Sequence, residues 1–272
     1  MKIGVTQWTL DCPCGPESLK RAHTLGFSYI HINAGLPDEQ YYLGKKEAIK
    51  KYKEMVNRFN VFITAIALNS LEIFGLLVDK NGKIDDYLKE IINSAVDAAE
   101  ALEVPILYFP SFNKSEIKNI EGRNKTAEIL KYACDYVIKK NLTIVTENTL
   151  GADENEFLIN DVNRNNLRLL LDTQNPILWN HSINQIIDKL HFKLTNQIHI
   201  KDGLNNIMGN ARLGEGNTNL KTTLENLYQK KYNGLLILEN DYSQDASIRI
   251  PQDFENLSNI LQLTCGKKYA RV

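Results

Sequence analysis

Short apolar runs alternate with longer amphipathic stretches along the whole chain. The runs are rich in leucine and β-branched residues, which is typical of buried parallel strands. They predict strands at 2–8, 28–33, 61–68, 105–110, 142–147, 167–172, 196–201 and 235–239. The intervening stretches predict helices at 16–25, 44–59, 84–103, 123–140, 153–164, 181–193, 217–231 and 251–264. Strands that alternate with helices in this way indicate an α/β fold with a parallel sheet, and we expect a single (β/α)8 barrel over residues 1–272.

Local signals refine some of these boundaries. Pro16 and Pro251 predict the first turns of their helices, because proline at the start of a helix needs no hydrogen-bond acceptor. Asn217 or Thr218 is a candidate N-cap for the helix that follows it. Segment 69–83 is long for a barrel loop and rich in apolar residues, so we expect a short extra helix on the rim or, alternatively, a lid.

Four predicted strands end at side chains that bind metals. These are Glu147, Asp172, His199 and Glu239. Because the strands of such a barrel are parallel, their carboxyl ends meet at one mouth, which is the active-site face. Three carboxylates and one imidazole suit Mn²⁺, Mg²⁺ or Co²⁺, and Zn²⁺ also remains possible. The sequence therefore predicts a divalent-metal site and an enzyme.

Four further side chains are candidates for binding a substrate. Lys201 faces the same way as His199 by strand alternation, and it contacts substrate or forms a structural ion pair. Arg212 either clamps a substrate or forms a salt bridge on the rim. His31 either donates a hydrogen bond to substrate or packs as an interior histidine. Trp8, at the end of the first strand, either walls the site or belongs to the core.

Composition excludes several classes of function. The net charge is −1, with Lys and Arg dispersed, so we expect no nucleic-acid partner. No apolar run is long enough to span a membrane, and no signal peptide precedes the first strand, so we expect a cytoplasmic protein. The four cysteines lack a disulfide-framework spacing, and Cys12 and Cys14 have no second pair of ligands nearby for a metal. A homo-oligomer remains possible.

The strand-end motifs resemble those of the xylose isomerase-like TIM barrels, over nearly the whole chain. The resemblance rests on Thr146-Glu147-Asn148, Leu171-Asp172-Thr173, His199-Ile200-Lys201-Asp202-Gly203, Arg212-Leu213-Gly214-Glu215-Gly216 and Leu238-Glu239-Asn240. It implies a metal held by Glu147, Asp172, His199 and Glu239. Two positions depart from the family, where Asn175 replaces a frequent histidine and His31 a common glutamate. With only five histidines, the chain lacks the ligands expected of the multi-metal endonucleases of this fold.

The resemblance implies an isomerase or epimerase acting on a sugar or polyol-like hydroxy-carbonyl substrate. A metal that chelates two adjacent substrate oxygens acidifies the C–H next to the carbonyl and stabilises an enediolate. Glu147 and Glu239 would then act as general base and acid, one removing a proton and the other returning it. Two alternatives stay open, a carbon–oxygen lyase that dehydrates an inosose or dehydroshikimate-type substrate, and a barrel that binds partners without catalysis.

Overall fold

The computed structural model describes residues 1–266 and contains eight parallel strands with helices between them. The strands are β1 (Lys2–Thr6), β2 (Tyr29–Asn33), β3 (Phe62–Ala67), β4 (Ile106–Pro110), β5 (Thr143–Glu147), β6 (Leu167–Leu169), β7 (Gln197–Ile200) and β8 (Leu235–Leu238). The helices are α1 (Glu17–Thr24), α2 (Lys46–Phe59), α3 (Ser70–Phe74), α4 (Asp86–Ala101), α5 (Ile120–Tyr136), α6 (Ala152–Val162), α7 (Asn175–Leu178), α8 (Ile183–Leu190), α9 (Leu220–Gln229) and α10 (Ala246–Cys265).

The strands form one curled sheet in the order β6-β5-β4-β3-β2-β1-β8-β7, and every pairing is parallel. Backbone hydrogen bonds join its two ends. The amides of Thr195 and His199 donate to the carbonyls of Leu169 and Leu171, each at 2.9 Å. An isolated parallel bridge also pairs Asp172 with His199. The predicted α/β barrel is therefore confirmed, and the carboxyl ends of its strands share one face.

The core has two parts, as a barrel requires. The larger cluster packs the outer faces of the strands against the helices, with Ile30, Ile144 and Leu236 fully buried. A smaller cluster inside the barrel contains Tyr108 and Val145, and Trp8 packs against it. Within residues 1–266, none of the helices is long and apolar enough to cross a membrane.

Several boundaries differ from those predicted. The β1 strand ends at Thr6 and is followed by a 3-10 turn at Gln7–Thr9. The β6 ladder ends at Leu169, before Asp172. The sequence also did not predict α7, a single turn after β6.

The predicted start of the last helix at Pro251 is wrong, because α10 begins at Ala246 and contains the proline. Ala246 and Ile250 are fully buried, so packing against the barrel holds the turn that precedes the proline. The predicted caps of α9 are also wrong, since Asn219 occupies the N-cap position without a side-chain cap bond. The expected short helix on the rim is present as α3.

Candidate metal centre

The four predicted ligands meet at the carboxyl end of the barrel. One donor atom from each of Glu147, Asp172, His199 and Glu239 lies within 4.8 Å of all the others. Donors that each lie about 2.0–2.6 Å from one ion can be at most about 5 Å apart, so this spacing fits a shared cation. All four side chains are buried. Three carboxylates in so small a buried volume repel one another unless a positive charge compensates them.

The imidazole of His199 lies between two of the carboxylates. Its Nδ1 atom is 2.9 Å from Glu147 Oε1 and 2.9 Å from Glu239 Oε2. His199 belongs to β7, while Glu147 ends β5 and Glu239 follows β8 directly. The parallel pairing of the strands therefore brings together residues that are far apart in sequence.

Asp172 and Glu239 each have one carboxylate oxygen fixed by hydrogen bonds, while the other contacts the nitrogens of Lys201 and, for Glu239, His199. Asp172 Oδ1 accepts hydrogen bonds from the amides of Gln174 and Asn175, both at 2.6 Å. Glu239 Oε1 accepts from Trp8 Nε1 at 2.8 Å. Their other oxygens, Oδ2 and Oε2, are buried and accept no hydrogen bond of good geometry. Buried oxygens with unused lone pairs are rare in proteins, and these two fit the donor set of a divalent ion.

Lys201 supplies positive charge to these same two oxygens. Its Nζ lies 3.3 Å from Asp172 Oδ2 and 3.0 Å from Glu239 Oε2, within ion-pair distance. It also donates to Asn175 Oδ1 at 3.2 Å, and the side chain is almost completely buried. The lysine is thus both a structural ion-pair partner and a group on the wall of the cavity described below.

Burial and neighbouring charges act in opposite directions on the pKa values of the cluster. Burial raises the pKa of Glu147 to about 7 and also raises that of Asp172. Burial has the same effect on Glu239, but the positive His199 and Lys201 outweigh it and hold the pKa of Glu239 well below its usual range. Burial disfavours a charged His199, yet the carboxylates of Glu239 and Glu147 raise its pKa to about 10.

A cavity of about 540 Å³ opens above the cluster, and this volume suits a small molecule. Trp8, Glu147, Lys201 and Glu239 are among the residues that line it. The remaining lining residues come mostly from loops that follow the strands, namely Thr9, Asn69, Glu72, Tyr108, Pro110, Phe112, Asn113, Glu116, Asn175, Trp179, Met208, Gly209 and Asp241. Most were not identified from sequence, because no pattern marks which loop side chains turn inward.

Two hydrogen bonds tie together three segments that line the cavity. Asn113 Nδ2 donates to Glu72 Oε2 at 2.6 Å, which joins the loop after β4 to α3. Trp179 Nε1 donates to Glu116 Oε1 at 2.9 Å, which joins the loop after β6 to the same β4 loop. The fold thus places further carboxylates around the mouth.

His31 and Arg212 lie away from the cavity wall. His31 is fully buried within the barrel. Its Nδ1 lies 3.1 Å from Nε2 of the predicted ligand His199, the ring nitrogen that does not face the carboxylates. Burial, reinforced by the charge of His199, lowers the pKa of His31 to about 3. The side chain of Arg212 is exposed to solvent and is not among the residues that line the cavity.

Asp202 organises the loop that contains Arg212. Its carboxylate accepts from the amides of Gly203, Gly214 and Gly216 at 2.9–3.0 Å and from Thr218 Oγ1 at 2.9 Å. Asp202 is fully buried, so these bonds satisfy a charge that water cannot reach. It therefore caps the turns of this loop.

Comparison with known proteins gives the family of the chain. A family model described as xylose isomerase-like TIM barrel matches residues 19–259. The chain belongs to this family, which confirms the resemblance drawn from its strand-end motifs.

The individual proteins that this chain resembles have low sequence identity to it. A 2-epi-5-epi-valiolone 7-phosphate 2-epimerase from Actinoplanes sp. is 27% identical over 255 residues, which cover 93% of this chain and 92% of that protein. A solved D-tagatose 3-epimerase-like protein superimposes with a TM-score of 0.75 at 18% identity, covering 97% of this chain and 98% of the other. The structure of an IOLI protein with a bound zinc atom gives a TM-score of 0.75 at 16% identity, covering 98% and 100%.

Proposed function

We propose that this protein is a divalent-metal-dependent epimerase or isomerase that acts on a sugar or polyol-like hydroxy-carbonyl compound by proton transfer. The observation that carries the proposal is the convergence of Glu147, Asp172, His199 and Glu239 within 4.8 Å beside a cavity. The Actinoplanes relative is itself named as an epimerase, which supports the same reaction class. We propose Mn²⁺, Mg²⁺ or Co²⁺ as the ion, with Zn²⁺ as the alternative that the IOLI structure supports.

The ion, when bound, supplies Lewis acidity that makes the C–H next to the substrate carbonyl more acidic. The residues of the chain supply the proton transfer. Glu147 lines the cavity from β5, and Glu239 lines it from the end of β8. Two strands, β6 and β7, lie between β5 and β8 in the barrel. One carboxylate removes the proton and the other returns it, as general base and acid. Return to the same carbon inverts it, and return to the neighbouring carbon moves the carbonyl.

Other side chains position these groups. Trp8 holds Glu239 through the 2.8 Å bond to Oε1, and its ring occupies part of the wall. Lys201 lines the cavity, and its ammonium group would offset the negative charge that develops on a bound substrate. Asn175 accepts a hydrogen bond from this ammonium at 3.2 Å and so fixes its direction.

The charges of the cavity favour an uncharged substrate. Glu72, Glu116 and Asp241 line it in addition to the ligands. Among its described lining residues, Lys201 is the one cation, and this lysine already faces two carboxylates. The ion and Lys201 offset the charge of the ligands, but a phosphate group beside Glu72, Glu116 and Asp241 would meet like charge. We therefore propose a free polyhydroxylated carbonyl compound.

Product analysis tests the proposal. The enzyme, loaded with Mn²⁺, is incubated with free ketoses, ketocyclitols and their phosphate esters, and the products are resolved by chromatography and mass spectrometry. A product of unchanged mass and altered configuration supports an epimerase or isomerase. Loss of 18 mass units, the mass of one water, would instead identify the carbon–oxygen lyase. Conversion of phosphate esters alone would contradict the uncharged substrate and leave the reaction class intact.

A further inference from the structure

A row of buried polar side chains lies behind His199, on the side away from the cavity. His31 Nδ1 is 3.1 Å from His199 Nε2, and His31 Nε2 contacts Gln197 Oε1. Gln197 Nε2 donates in turn to the main-chain carbonyl of Thr64 at 2.9 Å. His31, Gln197 and His199 are at most 2% exposed, so water cannot replace any of these contacts.

A bulge in the sheet accompanies the last contact. Along β2 and β3 the register shifts, so that Ile30 pairs with Ile63 while His31 pairs with Ala65. Thr64 is therefore the extra residue, with no partner on β2. The carbonyl of this extra residue accepts the hydrogen bond from Gln197, which reaches it from β7. Bulges of this kind redirect backbone and side-chain groups next to active sites.

The direction of every hydrogen bond in the row follows from this carbonyl, which can only accept. Gln197 must turn its NH₂ group towards Thr64, so its oxygen faces His31. That oxygen also only accepts, so His31 carries its proton on Nε2. In neutral His31 the Nδ1 atom is then bare and accepts from Nε2–H of His199. An ion bound at Nδ1 of His199 would replace the second proton that the nearby carboxylates otherwise favour. The proton that remains on Nε2 leaves Nδ1, the atom that faces Glu147 and Glu239, to bind the ion.

We propose that Gln197 and His31 are positioning residues, which fix His199 in the tautomer that presents Nδ1 to the divalent ion. The inference rests on the metal site of the proposed function. Histidine ligands in proteins commonly donate their second ring N–H to a carboxylate or carbonyl, which fixes the ring and the tautomer. Here neutral His31 is the acceptor for the second N–H of His199. The carbonyl of Thr64 orients Gln197, which in turn orients His31.

Two nearly isosteric substitutions separate this role from simple packing. In His31→Asn the amide oxygen can occupy the position of Nδ1 and still accept from His199, whereas His31→Leu has a similar shape and no acceptor. The measurement is the Mn²⁺ dissociation constant from calorimetry, with circular dichroism as the check on folding. We expect His31→Leu to bind Mn²⁺ about 10–100-fold more weakly than the wild type. His31→Asn keeps the acceptor but loses the contact with Gln197, so it should weaken Mn²⁺ binding less than His31→Leu does.

Equal Mn²⁺ affinities in the two variants, whether both reduced or both unchanged, would overturn the positioning role. Wild-type protein that binds no Mn²⁺ would remove the metal site of the proposed function together with this inference. If either variant fails to fold, the wild type decides by NMR of ¹⁵N-histidine-labelled protein loaded with diamagnetic Zn²⁺. We expect the protons of His31 and His199 on Nε2. A proton on Nδ1 of His31 would overturn the proposal.

Discussion

The ammonium nitrogen of Lys201 lies 3.0 Å from Glu239 Oε2, in a region that solvent barely reaches. The same nitrogen is 3.3 Å from Asp172 Oδ2, so one lysine joins two of the four candidate ligands. Breaking an ion pair as buried as these destabilises a protein, because removing one partner leaves the other charge uncompensated. The lysine therefore connects the electrostatics of the metal site to the wall of the substrate cavity.

Lys201→Met should lower kcat by about 10²–10³-fold, the usual effect of removing one group that stabilises developing negative charge. Methionine keeps most of the length of the side chain but removes its charge and its N–H donors. The measurement is steady-state kinetics on a converted substrate, with the metal content of the same sample determined alongside. Near-wild-type turnover by a fully loaded Lys201→Met enzyme would restrict the lysine to a structural role.

The metal itself should stabilise the fold. A ligand that binds only the folded state stabilises it by about 2.7 kcal/mol at a concentration 100 times its dissociation constant. We therefore expect chelation to lower Tm and Mn²⁺ to restore it, in a thermal unfolding experiment. His199→Ala should abolish the response. Cys12→Ser and Cys14→Ser serve as controls. If these variants lost the response and His199→Ala kept it, the metal would bind at the cysteines and the predicted ligand set would be wrong.

Glu147→Gln and Glu239→Gln should each abolish turnover. Each substitution removes a ligand charge and an acid–base group together, so rate and bound metal have to be measured on the same sample. We expect the loss of rate to exceed the loss of metal. Should either variant retain near-wild-type activity when loaded, proton transfer between these two carboxylates would be refuted.

Asp202→Ala should destabilise the protein by about 1–3 kcal/mol, the usual cost of leaving a buried hydrogen-bond donor without its acceptor. The aspartate holds amides of Gly203, Gly214 and Gly216, and alanine leaves these donors without their acceptor. Urea denaturation measures the change in the free energy of unfolding. Asp202→Asn keeps one acceptor oxygen and should lose less. A fully stable Asp202→Ala protein would show that the loop does not depend on this carboxylate.

The ligands could be predicted from sequence because each lies at or near the end of an apolar strand. In a parallel barrel the ends of strands share one face, so position along the chain is enough to place Glu147, His199 and Glu239 together. Asp172 is predictable for the same reason, although the β6 ladder stops at Leu169. The fold follows from the same alternation of strands and helices.

Features that depend on tertiary packing were not predictable. Glu72 and Glu116 reach the cavity because of the positions of α3 and of the loop after β4, which the periodicity of the sequence does not indicate. The contact of Gln197 with Thr64 depends on a register shift between β2 and β3, which an apolar strand pattern does not reveal. Pro251 lies inside a helix because buried neighbours hold the preceding turn, which overrides the local preference of proline for a first turn.

The most direct test of the central claim is solvent deuterium incorporation during turnover. The metal-loaded enzyme converts its substrate in D₂O, and NMR and mass spectrometry locate the label in the product. Proton transfer through Glu147 and Glu239 predicts deuterium at the carbon next to the carbonyl, in a product with no loss of water. Conversion without deuterium at that carbon would contradict the account, because the returned hydrogen would then not come from a carboxyl group that exchanges with solvent.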